Sequence, residues 1–232
     1  MLLRQVLFSQ GFGTRRECSG LIQHGLVRVA GAVLDDPDVD LDTEGLRFEV
    51  QGVEWAFHAK ALLMLNKPAG YECSRKPRHH PSVLSLLPAP LRTRDVQPIG
   101  RLDEDSTGLL LFSDDGTLIH RLTSPKWHVP KVYQVRCADA VTSQQIEALK
   151  IGVVLHDDPL PVKPLSCETS GEFTLRLTLA EGKYHQVKRM MAAVGNHVVG
   201  LHRSDFGALA LPADLPLGEW RWVERGAVAP GL

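Results

Sequence analysis

One segment combines groups able to do acid, base or nucleophilic work with a backbone able to hold them: Gly100-Arg-Leu-Asp103-Glu-Asp-Ser-Thr-Gly108, followed by the apolar run Leu109 to Phe112. A polar loop closed by glycine feeds straight into a strand apolar on both faces, which places Asp103 at the mouth of a buried sheet. Three chemistries compete for this loop. In the first, Asp103 and Asp105 satisfy loop amides in an Asx-turn. In the second the loop binds calcium, because Asp103, Asp105, Thr107, Gly108 and Asp114 fall on EF-hand positions 1, 3, 5, 6 and 12. That reading fails on context: Asp114 stands where a bidentate Glu is needed, and the flanks are a Pro-containing extended segment and an apolar strand instead of two helices. In the third, Asp103 is a catalytic carboxylate, acting as nucleophile or general base.

The elements that must position the loop can be read from periodicity and punctuation. Leu2 to Ser9 reads as a short amphipathic helix halted at Gly11 and Gly13. Thr14-Arg-Arg-Glu17 is a capping box opening a second helix that runs to His24 and stops at Gly25. Leu26 to Val29 and Leu46 to Val50 read as strands joined by a loop through Asp35-Asp36-Pro37. Composition changes after His58, and a domain boundary is expected near residue 60, dividing the chain into 1–59 and 60–232. Beyond it, strands are expected at 62–65, 108–112, 132–137, 173–179 and 198–201, and helices at 82–87, 117–122, 143–150 and 185–194. Strands and helices do not alternate strictly and no glycine fingerprint opens a helix. The fold class is therefore α+β, with a mixed, mainly antiparallel sheet and flanking helices.

The chain has 232 residues, 44% hydrophobic and 23% charged, enough for a proper core and too ordinary for a disordered, collagen-like or coiled-coil protein. No apolar run is long enough to span a bilayer. Arg4 and Gln5 interrupt the N-terminus before an apolar signal segment can form, so a cytoplasmic location with no membrane attachment is expected. Cys18, Cys73, Cys137 and Cys167 have no metal-site or disulfide spacing and read as isolated thiols. The net charge of −1 hides a pattern: residues 1–34 carry +3, residues 35–54 carry −7, and residues 60–101 carry +6. A near-neutral chain thus has two basic segments, split by an acidic one, and the second leads into the Asp103 loop.

The order of four motifs resembles the RNA pseudouridine synthases. Gly-Arg-Leu-Asp103-x-x-Ser-x-Gly-Leu-Leu is similar to their signature, Lys67-Pro-Ala-Gly70 to the element before the catalytic loop, Lys131-Val-Tyr133 to their Lys-x-Tyr, and Glu181-Gly-Lys-Tyr-His-Gln-Val-Lys188-Arg189-Met190 to their third motif. The first fifty residues, with Thr14-Arg15-Arg16, His24-Gly25 and Val27-Arg28-Val29, resemble an S4-type RNA-binding module of αα-β form. The wording of Tyr71-x-Cys-Ser, His80-Pro-Ser-Val-Leu84 and Gly195-Asn-His-Val-Val-x-Leu-His-Arg203 is most similar to the branch acting on small-subunit (16S) ribosomal RNA. Between Ser74 and Pro81 the chain departs from that branch, with Arg75, Lys76, Arg78 and His79 where a more acidic loop is expected.

The resemblance implies isomerisation of uridine to pseudouridine, a reaction with no redox change and no energy input, and so no metal, nucleotide or other cofactor. Asp103 would be the essential carboxylate, Lys188 its cationic partner with Lys183 as second choice, and Tyr133 the aromatic face for a flipped-out base. Arg101 would fill the gap left by the base or hold its phosphate, Leu201 would buttress the uracil, and Lys67, Lys183 and Arg189 would contact RNA. Arg15, Arg16 and Arg28 would form a second anchor on the small domain. The expected partner is 16S ribosomal RNA, naked or in a partly assembled particle, with no obligate protein partner. Two other functions fit the class: a synthase for 23S ribosomal or transfer RNA, and a non-catalytic RNA-binding factor of ribosome assembly. Retention of Asp103, Tyr133 and Lys188 argues against the latter.

Overall fold

The computed structural model of the chain describes residues 1–156 and 158–228, and the chain divides into two units. The first comprises Met1–Ala61 and Leu87–Gln97. Helices α1 (Leu3–Ser9) and α2 (Arg15–Gln23) precede strands β1 (Val27–Val29), β2 (Ala32–Val33), β3 (Arg47–Val50) and β4 (Val53–Ala56), which pair antiparallel in the order β2-β1-β3-β4. The capping box opening α2 forms as the sequence requires: Thr14 Oγ1 accepts from the Glu17 amide and the Glu17 carboxylate accepts from the Thr14 amide at 2.7 Å. Leu3, Val6, Leu7, Cys18 and Ile22 from the helices close on Val27, Phe48 and Val50 from the sheet. The αα-β expectation omitted β2 and β4, which are short and largely exposed and so carry little hydrophobic signal.

The helix α3 (Ala89–Thr93) belongs to this first unit although it lies within the stretch 60–232. The Arg94 guanidinium explains why, donating to Gln10 Oε1 at 2.7 Å and to the His58 carbonyl at 2.6 Å.

The second unit is built on one large sheet. Strand β5 (Leu62–Lys67) is buried along its whole length, β6 (Gln97–Ile99) and β7 (Thr107–Ser113) pair beside it, and α4 (Gly116–Thr123) packs on β7, its N-terminus capped by Asp115. Strand β8 (Lys131–Cys137), helix α5 (Ser143–Ile151), the ribbon β9 (Val153–Leu155) and β10 (Asp158–Val162), and strands β11 (Ser166–Gly171) and β12 (Thr174–Leu179) follow. Helix α6 (Gln186–Ala193) leads to β13 (Val198–Phe206), β14 (Leu209–Ala210), β15 (Trp220–Trp222) and a final turn of helix, α7 (Arg225–Val228). The sheet order is β11-β12-β8-β13-β7-β5-β15. Its neighbours are antiparallel except β13 and β7, where His202 faces Thr107 and Arg203 faces Gly108. The expected α+β class with a mixed, mainly antiparallel sheet is what the chain adopts.

Two expectations need adjustment. Residues 82–87 form only a 3-10 turn, Val83–Leu86, in a short segment with Pro81 before it and Pro88 after it. The helix expected from His185 begins at Gln186, because His185 itself sits in the left-handed region at φ 48°.

Candidate active site

The Asp103 loop is held from below by a lysine. Lys67 ends β5 with no solvent exposure, and its Nζ donates to the carbonyls of Pro68 at 3.0 Å, Asp103 at 3.0 Å, Glu104 at 3.2 Å and Ser106 at 2.8 Å. Burial pushes the Lys67 pKa down, against the nearby acidic groups that favour its charge. At the other end of the loop Gly108 adopts φ +103°, and a Cβ there would lie 2.3 Å from the Arg203 carbonyl oxygen. Only glycine lets β7 and β13 approach this closely. The loop conformation is thus set by an ammonium beneath it and a strand contact beside it.

The Asp103 carboxylate, 24% exposed, faces two groups delivered by the start of α6: His185 Nε2 lies 3.3 Å from Oδ1 and Lys188 Nζ lies 3.4 Å from Oδ2. Lys188 also donates to both oxygens of Asp105 at 2.8 Å. Burial works against the Lys188 charge, but the hydrogen bond to Asp105 and the two carboxylates outweigh it and raise its pKa. Asp105 moves the other way, the ammonium overcoming burial to lower its pKa. The shared cation keeps two carboxylates close together without leaving their repulsion uncompensated.

A cleft of about 490 Å3 opens over Asp103, walled by Arg101, Tyr133, Glu181, Lys183, Tyr184, His185 and Arg203. Tyr133 projects from β8, 7% exposed, and with Leu201 of β13 and Lys188 it lines a smaller recess that also reaches Asp103. Asp103, Tyr133, Lys188, Arg101 and Leu201 are therefore brought together as expected from the sequence.

Other expectations are corrected. Lys67 cannot contact RNA directly, because four backbone carbonyls enclose its ammonium. Lys183 lines the cleft but turns to Asp158 and, at 3.8 Å, to Glu181, so the hydrogen bond it donates to Asp158 raises its pKa and Lys188 alone of the two pairs with Asp103. Arg189 folds back to donate to the Tyr184 carbonyl at 3.0 Å. The Asx-turn reading misplaces the loop's carboxylates, whose charged partners are on α6 and its N-cap. Among the described residues no group of three or more His, Cys, Asp or Glu could hold a metal ion.

Sequence reasoning missed His185, Asp105 and Arg203. His185 is a non-glycine residue in the left-handed region, stacked on Tyr184 with ring centroids 3.8 Å apart, and nothing in Lys-Tyr-His-Gln announces that backbone. Asp105 was visible only as a loop acid. Arg203 lies mid-strand and 1% exposed, a burial that a charged residue does not advertise.

On the first unit Arg15, Arg16 and Arg28 are all exposed, with the Arg15 guanidinium 5.4 Å over the Phe8 ring and Arg28 bonded to the Gly31 carbonyl at 3.2 Å.

These features coincide with known proteins. A family model described as RNA pseudouridylate synthase matches residues 61–193, and one described as S4 domain matches residues 1–45. The chain belongs to the RNA pseudouridylate synthase family, with an S4 domain at its N-terminus. Among relatives, it is 47% identical over 172 residues, 74% of each chain, to the ribosomal small subunit pseudouridine synthase A of Escherichia coli strain K12. The protein of the same name in Haemophilus influenzae is 38% identical over 216 residues, 93% of this chain and 92% of that one. A solved structure titled "Crystal structure of pseudouridylate synthase" superposes with a TM-score of 0.70 at 34% identity, covering 98% of both chains.

Proposed function

We propose that this chain converts uridine to pseudouridine at a site in small-subunit (16S) ribosomal RNA. The observation that carries the reading is the Asp103 carboxylate lining the cleft, partly shielded from water, with the Lys188 ammonium 3.4 Å away and Tyr133 on the adjoining wall. Relatives named ribosomal small subunit pseudouridine synthase A, aligned over most of the chain, support the choice of RNA.

The chemistry follows from the residues. A base paired within a stem must leave the stack at a cost of roughly a few kcal/mol and be caught by stacking, a task that suits Tyr133. Asp103 then acts on the base, on the sugar, or as a base toward the ribose 2′ proton; each route needs a free carboxylate. Lys188 pairs with that carboxylate at 3.4 Å, and Asp105 holds Lys188 in place. Arg101 at the cleft wall suits the vacancy left in the stem, and Leu201 packs against the uracil from β13. The exposed Arg15, Arg16 and Arg28, within the domain proposed at residues 1–59, give RNA a second attachment that raises effective concentration without tight binding by either patch. The isomerisation calls for no cofactor, and the work is done in the cytoplasm, where ribosomal RNA is made; no described helix is long and apolar enough to cross a membrane.

The test is tritium release from C5-labelled uridine in 16S RNA, naked and partly assembled with proteins, with 23S RNA and transfer RNA as controls. Release confined to the small-subunit substrate, abolished by Asp103→Asn while RNA binding persists, is expected. Release from 23S or transfer RNA instead moves the target. Binding without release from any RNA makes the chain an assembly factor.

A further inference from the structure

The cleft contains two cations that the roles above leave unused. Lys131 opens β8 and Arg203 lies on β13, where their register partners are Phe206 and Tyr133. Both line the cleft that holds Asp103, and both lie 5.3 Å from the centroid of the Phe206 ring. Lys131 is 9% exposed and its Nζ donates to the Val129 carbonyl at 2.9 Å. Arg203 is 1% exposed; its Nε donates to the Leu109 carbonyl at 2.7 Å, and its buried Nη2 has no hydrogen-bond partner among the described residues.

The contrast with the other cations of the cleft is chemical. Lys183 is neutralised by Asp158 and Glu181, and Lys188 by Asp103 and Asp105. Neither Lys131 nor Arg203 pairs with a carboxylate among the described residues, and the charge that Lys131 feels is the Arg203 guanidinium. Two like charges buried against one aromatic ring, near enough for one to feel the other, cost stability and persist only where something else recovers it. An anion would supply the partner that both lack, and the reaction proposed for this cleft makes one from the uracil ring. A phosphate of the RNA backbone is met by exposed donors, whereas these groups are 9% and 1% exposed, which suits a flat ring inserted into the cleft.

We propose that Lys131 and Arg203 stabilise the negative charge carried by the uracil ring while its bond to the ribose is broken. This rests on the function proposed above. When N1–C1′ breaks, the electron pair stays with the base and spreads over N1, O2 and O4; when C5 then bonds to C1′, the C5 proton leaves and N1 gains one, so composition is unchanged. If Asp103 instead adds to C6, the charge appears on C5 and O4, and O4 is an oxygen that carries charge on both routes. Fixed cations facing such an oxygen act where charge develops and need no reorganisation during the reaction. Burial, reinforced by Arg203, pushes the Lys131 pKa down to about 8, which leaves the amine charged at neutral pH.

The experiment compares Lys131→Met and Lys131→Arg with wild type in single-turnover pseudouridine formation on 16S RNA, alongside RNA affinity and the thermal midpoint. Lys131→Met is expected to lower the rate on the order of 100-fold, to leave RNA affinity within about twofold, and to melt at or above the wild-type temperature, since a buried amine has been removed. Lys131→Arg should restore most of the rate. The inference is overturned by a Met variant within about threefold of the wild-type rate, by a loss confined to RNA affinity, which would mark a phosphate subsite, or by a Met variant that unfolds or melts well below wild type, which would make the amine a structural bond to Val129. A wild type inert on every RNA would instead refute the proposed function.

Discussion

The Lys67 ammonium donates to the backbone carbonyl of Asp103 at 3.0 Å, so the chain's most buried lysine holds the peptide whose side chain faces the cleft. Orientation of the carboxylate therefore depends on a cation that no substrate reaches. Lys67→Met leaves the carbonyls of Asp103, Glu104 and Ser106 without their donor. The expected cost is about 3 kcal/mol of stability, with turnover falling further than RNA affinity. Urea unfolding alongside tritium release checks both; turnover equal to wild type would dismiss the positioning role.

Gly108→Ala places a Cβ 2.3 Å from the Arg203 carbonyl oxygen at a backbone angle of φ +103°. Two backbone segments would have to part, at the seam between β7 and β13. A loss of about 3 kcal/mol or more is expected, read as a lower midpoint in thermal unfolding.

Glu72 accepts from the amides of Arg78, His79 and His80, at 2.8 Å from His79 and 2.9 Å from His80, and these bonds pull its pKa down from 4.5 to about 2. A carboxylate with a depressed folded pKa contributes fully above the unfolded value and loses its contribution as pH falls through the folded one. Amide hydrogen-exchange protection at Arg78, His79 and His80 should therefore hold above about pH 4.5 and fade towards pH 2. Glu72→Gln should lack it at neutral pH. Protection in that variant equal to wild type would show that the loop folds without the carboxylate.

Arg15→Ala with Arg16→Ala removes two exposed charges from the first unit. If both meet phosphate, the slope of log affinity for 16S RNA against log salt should shrink by about 1 to 2, with the saturated rate unchanged. Filter binding over a salt series reads the slope, and an unaltered value would move the anchor elsewhere.

The site was legible where its residues obey local rules. Asp103 stands out because a polar loop runs into an apolar strand, and the α2 capping box needs only Thr14 and Glu17 at the right spacing. Lys67 was misread because its motif marks its presence and not its direction; it completes the run Leu62–Lys67, every residue of which is buried, and that run was the available clue. His185 and Arg203 depend on contacts across the sheet that local pattern does not encode. Strand β11, Ser166–Gly171, is mostly exposed and polar, so pairing with β12 makes it a strand, not its own periodicity.

The position of β13 has a consequence during synthesis. In the sheet, β5 and β7 meet β8, β12 and β11 only through β13, so Asp103 and Tyr133 stand on halves joined by residues 198–206. A growing chain that has passed Tyr133 but not Phe206 owns both residues and no active site. Pairings of such long sequence separation form late. The nascent enzyme, emerging from a ribosome of the very kind whose RNA it is proposed to modify, stays silent until β13 has been translated.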